Sequence, residues 1–158
     1  MNQPEEIMHG LEVGAAELAR EIARLPEEAA LWRPGEGEWS QHEALTHIWI
    51  AEHYVFLPRI TAMAQQDNPF LPVVDETALQ RSEWRAEQPR AELLAAFQAD
   101  RQAELALLAA SDWDRPGVHE TNGPISIGWV AAYAMGHTWE HLSQMLRVRL
   151  RHALRRAA

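Results

Sequence analysis

The chain contains no cysteine. That absence excludes disulfides, zinc–thiolate sites and any thiol nucleophile of the protein's own. Lysine is missing too: all 14 cationic side chains are arginines, which removes Schiff-base chemistry and lysine-anchored pyridoxal phosphate. No uninterrupted apolar run approaches the ~20 residues that a membrane-crossing helix needs. Residues 1–6 are acidic and lack the cationic start and apolar core of an export signal. No membrane partner and a cytoplasmic location are therefore expected. Strand signals are scarce. The formal charge of −9 argues against nucleic acid as a partner. Five arginines (Arg147, Arg149, Arg151, Arg155 and Arg156) do crowd the end of the chain, where the carbonyls of a helix C-terminus favour cations. Chemistry is left to histidine, carboxylates, hydroxyls or a bound metal.

What is present fits a single domain over residues 1–158. The length suffices for one core, and 47% apolar with 23% charged residues is ordinary for a globular chain. Four segments carry apolar residues at helical spacing, so the expected fold is all-α, a four-helix bundle. The first helix is expected over 4–25, with Ile7, Leu11, Leu18, Ile22 and Leu25 on one stripe and Pro26 as its stop. The second is expected over 40–65, opened by a Ser40/Glu43 capping box and bent at Pro58. The third is expected over 89–111, with Leu94, Phe97, Leu105 and Leu108 facing inward, and the fourth over 126–155, after the turn Asn122-Gly123-Pro124. The links 26–39, 66–88 and 112–125 are longer than antiparallel neighbours need, so at least one is expected to cross the bundle. A short helix is expected near 78–85.

A 100° step per residue puts Val130, Ala134, His137, His141, Met145 and Val148 on one narrow stripe of the last helix. His137 and His141 are one turn apart and face the core, so both imidazoles can converge on one ion. His47 shares a stripe of the second helix with Glu43, Ala51, Tyr54 and Pro58. A lone inward histidine is usually a hydrogen-bonded core residue. Three in one small core are hard to satisfy without an ion, which makes His47, His137 and His141 the candidate ligands of one divalent metal. The remaining histidines, His9, His42, His53, His119 and His152, read as surface or interface residues.

Three further residues are weaker catalytic candidates. Glu43 could orient His47 or take up a proton, although its capping box already accounts for it. Tyr54 could donate to a metal-bound group, against an ordinary packing role. Arg101, on the inner face of the third helix, could hold an anionic substrate, against pairing with a carboxylate such as Glu104 or snorkelling outward. The run His137-Thr138-Trp139-Glu140-His141 matches the H-x-x-E-H pattern of inverted zinc peptidases, but no Asp or Glu follows Glu140 to serve as the downstream ligand. Met135, Trp139, Leu142, Leu146 and Leu150 form a second apolar stripe on the last helix, with Trp49, Phe56 and Ile60 similarly placed on the second. Such two-sided apolarity suggests a homodimer interface, or contact with the long loops.

With these residues in hand, the chain resembles the DinB/YfiT-like family of metalloenzymes. The resemblance rests on Trp39-Ser40 leading into the second helix, His47 one turn beyond Glu43, the Gly- and Pro-containing loop before the last helix, and His137-x-x-x-His141 followed by Gln144. It implies a four-helix bundle with a three-histidine site near one end, at His47, His137 and His141, and frequently a dimer. It also implies a divalent cofactor, zinc or nickel foremost, with iron or manganese as alternatives. Characterised relatives use low-molecular-weight thiols such as bacillithiol or mycothiol, and most members have no assigned reaction.

Three neutral histidines leave a metal an open position, the pattern of a catalytic rather than a closed structural site. A bound water would have its pKa lowered toward ~7, and a bound thiol would lose its proton outright. Because the protein has no cysteine, any thiolate must come from a small-molecule cosubstrate. The expected function is a metal-dependent thiol S-transferase or hydrolase. The alternative is a non-catalytic bundle that holds a metal or a small ligand.

Overall fold

The computed structural model describes residues 3–157. Helix α1, Gln3–Arg24, carries Glu5 and Glu6 in its first turn and buries Ile7, Leu11, Leu18 and Ile22, as their spacing requires. Helix α2, Gln41–Ala51, opens on the expected capping box: Glu43 N–H donates to the Ser40 hydroxyl and Ser40 N–H to the Glu43 carboxylate. It runs through a π-helical turn, Glu52–Phe56, into α3, Leu57–Gln65. The widened turn has a local cause. Pro58 has no N–H to give and its ring crowds the preceding turn, so the chain swells by one residue just before it, and Leu57 N–H reaches back to Glu52.

Strand β1, Phe70–Leu71, and helix α4, Glu76–Glu83, capped by the Asp75 side chain, occupy the next link. Helix α5 is Arg90–Ala110. The following link holds a hairpin that the sequence did not signal: β2, Pro116–His119, pairs antiparallel with β3, Gly123–Ser126, and parallel with β1. Gly123, at φ 71°, supplies the left-handed residue the turn needs. Helix α6, Ile127–Ala157, completes the chain.

α1 and the α2–α3 rod each pack against both α5 and α6, so consecutive helices α1 and α2 sit across the bundle from one another, as do α5 and α6. Directions follow from two core clusters. One joins Ile7 and Leu11 with Ile60, Met63, Leu108, Ile127 and Val130; the other joins Leu18 and Ile22 with Leu45, Leu93, Phe97 and Met145. α2–α3 and α5 therefore run parallel, and the 66–89 link is a crossover returning along the bundle. α1 and α6 also run parallel, close enough that a Cβ on Gly10 would collide with the Met135 sulfur.

Between the two clusters lies a buried polar layer. Arg101, 1% exposed, donates from Nε and Nη2 to the two oxygens of Glu52 at 2.8 and 2.9 Å, from Nη2 to the Thr138 hydroxyl at 3.0 Å and from Nη1 to the Leu11 carbonyl at 3.2 Å. Glu104 Oε2 lies 2.8 Å from Arg101 Nε, outside hydrogen-bonding angle. Burial, with Glu52 adding to it, pushes the Glu104 carboxyl well above its usual range.

Several expectations need correcting. Phe56 and Ile60 are 3% and 0% exposed and belong to the core, because the π turn shifts their register; they form no outer stripe. On α6, the Trp139 indole donates to the Gly10 carbonyl and Leu142 packs on the second core cluster, while Leu146 and Leu150 stay exposed. His42 and His119 are buried rather than at the surface. The His42 ring is covered by Trp84 and its Nε2 meets the Gln88 carbonyl at 2.7 Å. The Arg-rich end is partly tied to the bundle, Arg149 to Glu21 and Arg151 to Glu38. Among the described residues, no helix is long and apolar enough to cross a membrane.

Candidate metal centre

The capping box opens α2 at Ser40, and about two turns on His47 faces α6. There the one-turn spacing of His137 and His141 brings both rings to meet it. One nitrogen from each ring lies within 4.8 Å of the others. His47 Nε2 and His137 Nε2 stand 3.1 Å apart, close to the ~3.3 Å edge of a tetrahedron with metal–nitrogen bonds of about 2.05 Å. The His141 tautomer is set from outside the cluster: its Nδ1–H donates to Gln144 Oε1 at 2.8 Å, which turns the Nε2 lone pair toward the other two rings.

Burial pushes the His47 ring down to about 4, with His141 adding to the effect, and the His137 ring down to about 3, with His141, His47 and Arg101 adding to it. These are neutral imidazoles at physiological pH, the form that ligates. The residues present fit a divalent ion on each of these counts.

The surroundings are asymmetric. Behind the rings, Phe56 lies 5.4 Å from His137, and Arg101 is held in its polar layer. In front, Trp39 stands 4.9 Å from His47 and stacks 6.1 Å from His141. α4 packs across α2, and between them opens a cavity of about 230 Å3 lined by Trp39, His47, Glu76, Thr77, Gln80 and Arg81. Glu76 Oε2 reaches 3.7 Å from His47 Nε2. Burial raises the Glu76 carboxyl against the opposing pull of Arg59 and His141.

The weaker candidates lie elsewhere. Burial acts to raise the Glu43 carboxyl, but Arg33 and Ser40, which occupy its two oxygens, hold it below its usual range. Tyr54 packs on Trp49 and His53, and its hydroxyl pairs with Glu83. Arg101 has the ion-paired arrangement, with Glu52 as the principal partner in place of Glu104. Glu140 is exposed. Reasoning from the sequence missed Glu76: α4 has no fully buried residue, and nothing in the local pattern says which way that short helix docks.

A family model described as the DinB superfamily matches residues 11–145. The chain belongs to that superfamily. Its DinB-type bundle is similar in fold to YfiT from Bacillus subtilis, a probable metal-dependent hydrolase with an unusual four-helix bundle topology. The TM-score is 0.80 at 18% identity, covering 95% of this chain and 87% of that one. It is also similar in fold to the mycothiol-dependent maleylpyruvate isomerase, with a TM-score of 0.73 at 9% identity over 92% of this chain; the match spans 61% of the isomerase's length. No curated protein matches the sequence.

Proposed function

We propose that this DinB protein is a metal-dependent enzyme that holds one divalent ion, zinc or nickel foremost and iron or manganese within reach of the same donors, through His47, His137 and His141. The reaction we assign is S-transfer from a low-molecular-weight thiol or, failing that, hydrolysis. One observation carries the proposal: three imidazoles converge beside an open cavity. An ion sealed beneath the loops would instead favour a purely structural role.

A divalent ion supplies positive charge that favours the ionised form of a thiol or water, and a donor set of neutral nitrogens leaves that charge undiminished. The chain does the rest. Trp39 and Phe56 wall the rings on two sides and limit water. Gln144 fixes the His141 tautomer. The Glu76 carboxylate, raised by burial and facing the cavity, is placed to accept the proton that an incoming thiol or water gives up. The names of the two similar structures, one metal-dependent and one mycothiol-dependent, support this reaction class without choosing within it. We further assign the protein to the cytoplasm as a homodimer, with the exposed Leu146 and Leu150 of α6 supporting a second copy.

The test is conjugation: metal-loaded protein, an electrophile, and bacillithiol, mycothiol or glutathione. Metal-dependent thioether formation, lost in His141→Ala, is expected. Faster thiol-independent ester or amide cleavage would reassign the protein as a hydrolase. Inactivity in both assays with a tightly held ion would favour the non-catalytic alternative.

A further inference from the structure

A second cavity, of about 370 Å3, opens where α3, the residues before α4, the β2–β3 hairpin and α6 meet. It adjoins the histidine cluster through two residues. Glu76 lines both cavities, and the Phe56 ring lies 5.4 Å from His137 on one side and 5.9 Å from Tyr133 on the other.

The cavity is built unevenly. One wall is aromatic: Trp129 and Tyr133 stack at 5.3 Å with 14° between their planes, and both are substantially exposed. The other wall is a set of donors. Arg59 is half-buried; its Nη2 donates to the Pro72 carbonyl, its Nε is buried without a partner, and among the described residues no carboxylate lies within ion-pair distance of it. Glu76, across the same cavity, exerts the main opposing electrostatic pull on it. Beside it, the backbone N–H groups of Thr121 and Asn122 donate to His119 Nδ1, so the proton of that ring sits on Nε2, a further donor. A half-buried, unpaired guanidinium with an orphaned N–H is costly unless something anionic completes it. A planar carboxylate matches its fork, and a flat apolar body matches the stacked rings.

We propose that this cavity is the acceptor subsite of the enzyme, taking a small planar carboxylate whose anionic end is held by Arg59 and whose flat body lies against Trp129 and Tyr133. The assignment of the bound molecule as the acceptor rests on the function proposed above; the binding itself does not. The subsite lies beyond the Phe56 ring, away from the Trp39 wall, so a thiol entering the smaller cavity and a carboxylate entering this one would both reach Glu76, which lines the two.

The test uses benzoate as probe, with benzamide as its neutral isostere, on 15N-labelled zinc-loaded protein followed by NMR. Benzoate should bind at least tenfold more tightly than benzamide and shift the Trp129 indole and Arg59 Nε signals. Arg59→Met should remove that preference while keeping metal affinity. Two exposed-site variants cover the case in which Arg59→Met fails to fold: Asn122→Asp should weaken benzoate but not benzamide, and Tyr133→Ala should weaken benzoate but not acetate. Equal affinity for the two probes, unaltered benzoate binding in the folded variants, or shifts confined to Trp39 and the histidines would overturn the subsite. If benzoate selectivity holds while thiol conjugation fails, the reaction class is wrong and the subsite stands; the reverse outcome removes the subsite alone.

Discussion

Gln144 Oε1 accepts the Nδ1 proton of His141 at 2.8 Å, and that single contact decides which nitrogen of the ring faces His47 and His137. The pair lies at i, i+3 on the same helix, so it forms wherever α6 forms. Gln144→Leu should therefore leave the helical circular dichroism unchanged and weaken metal binding by about 10–100-fold, the usual effect of losing the partner that orients a histidine ligand. Competition with a chelator of known affinity measures it; unchanged affinity would mean that His141 does not ligate through Nε2.

His47 and His137, with pKa values pushed down to about 4 and about 3 from the ordinary 6.5, make the metal-free protein acid-sensitive. Between those values the unfolded chain binds protons that the folded chain refuses. Stability contributed by the neutral rings is thus complete above pH 6.5 and falls as pH drops toward 4 and 3, by at most about 1.4 kcal/mol per pH unit per ring. Melts in EDTA at pH 7.5, 6.0 and 5.0 should show Tm falling stepwise, with a shallower fall in His137→Gln. A Tm that holds constant to pH 5 would place the rings in water.

In the buried layer, Glu52 makes the two-point contact with Arg101, whereas burial favours the neutral form of Glu104. Glu52→Gln should cost about 3 kcal/mol or more, because it strands a buried guanidinium. Glu104→Gln should cost less than about 1.5 kcal/mol, since a neutral acid is replaced by a neutral amide of the same shape. Urea denaturation compares the two, and equal losses would contradict the assigned charges.

Much of this was legible in the sequence because it is local or periodic. The Ser40/Glu43 box fixes the start of α2, and the three-and-four spacing around His137 and His141 fixes their face. What was not legible depends on non-local packing. The π turn at Glu52–Phe56 breaks the 100° arithmetic, which is why Phe56 and Ile60 were assigned to the wrong face and Tyr54 was aligned with His47. β2 and β3 are four residues each, with Pro, Gly and His where an alternating apolar pattern would have signalled strands. His42 is buried by the link containing α4, and Glu76 enters the site on that same short helix. The placement of so short an element is set by the core it lands on rather than by its own residues.

The Ser40 cap stabilises the start of α2 ahead of His47, and its contribution is separable from the chemistry. Ser40→Ala should lower stability by about 1 kcal/mol while leaving metal affinity within about threefold. Thermal melts with and without saturating zinc would show it. A much larger loss of affinity would mean that the helix start, rather than the core, aims His47.

The central claim is that three histidines share one ion, and X-ray absorption at the metal edge tests it most directly, on protein purified without a histidine tag. One divalent ion per chain is expected, with three imidazole nitrogens at about 2.0–2.1 Å and one imidazole lost from the shell in each of His47→Ala, His137→Ala and His141→Ala. An ion whose shell keeps all its imidazoles in any of those variants, or a chain that takes up no ion when offered zinc or nickel, would contradict it.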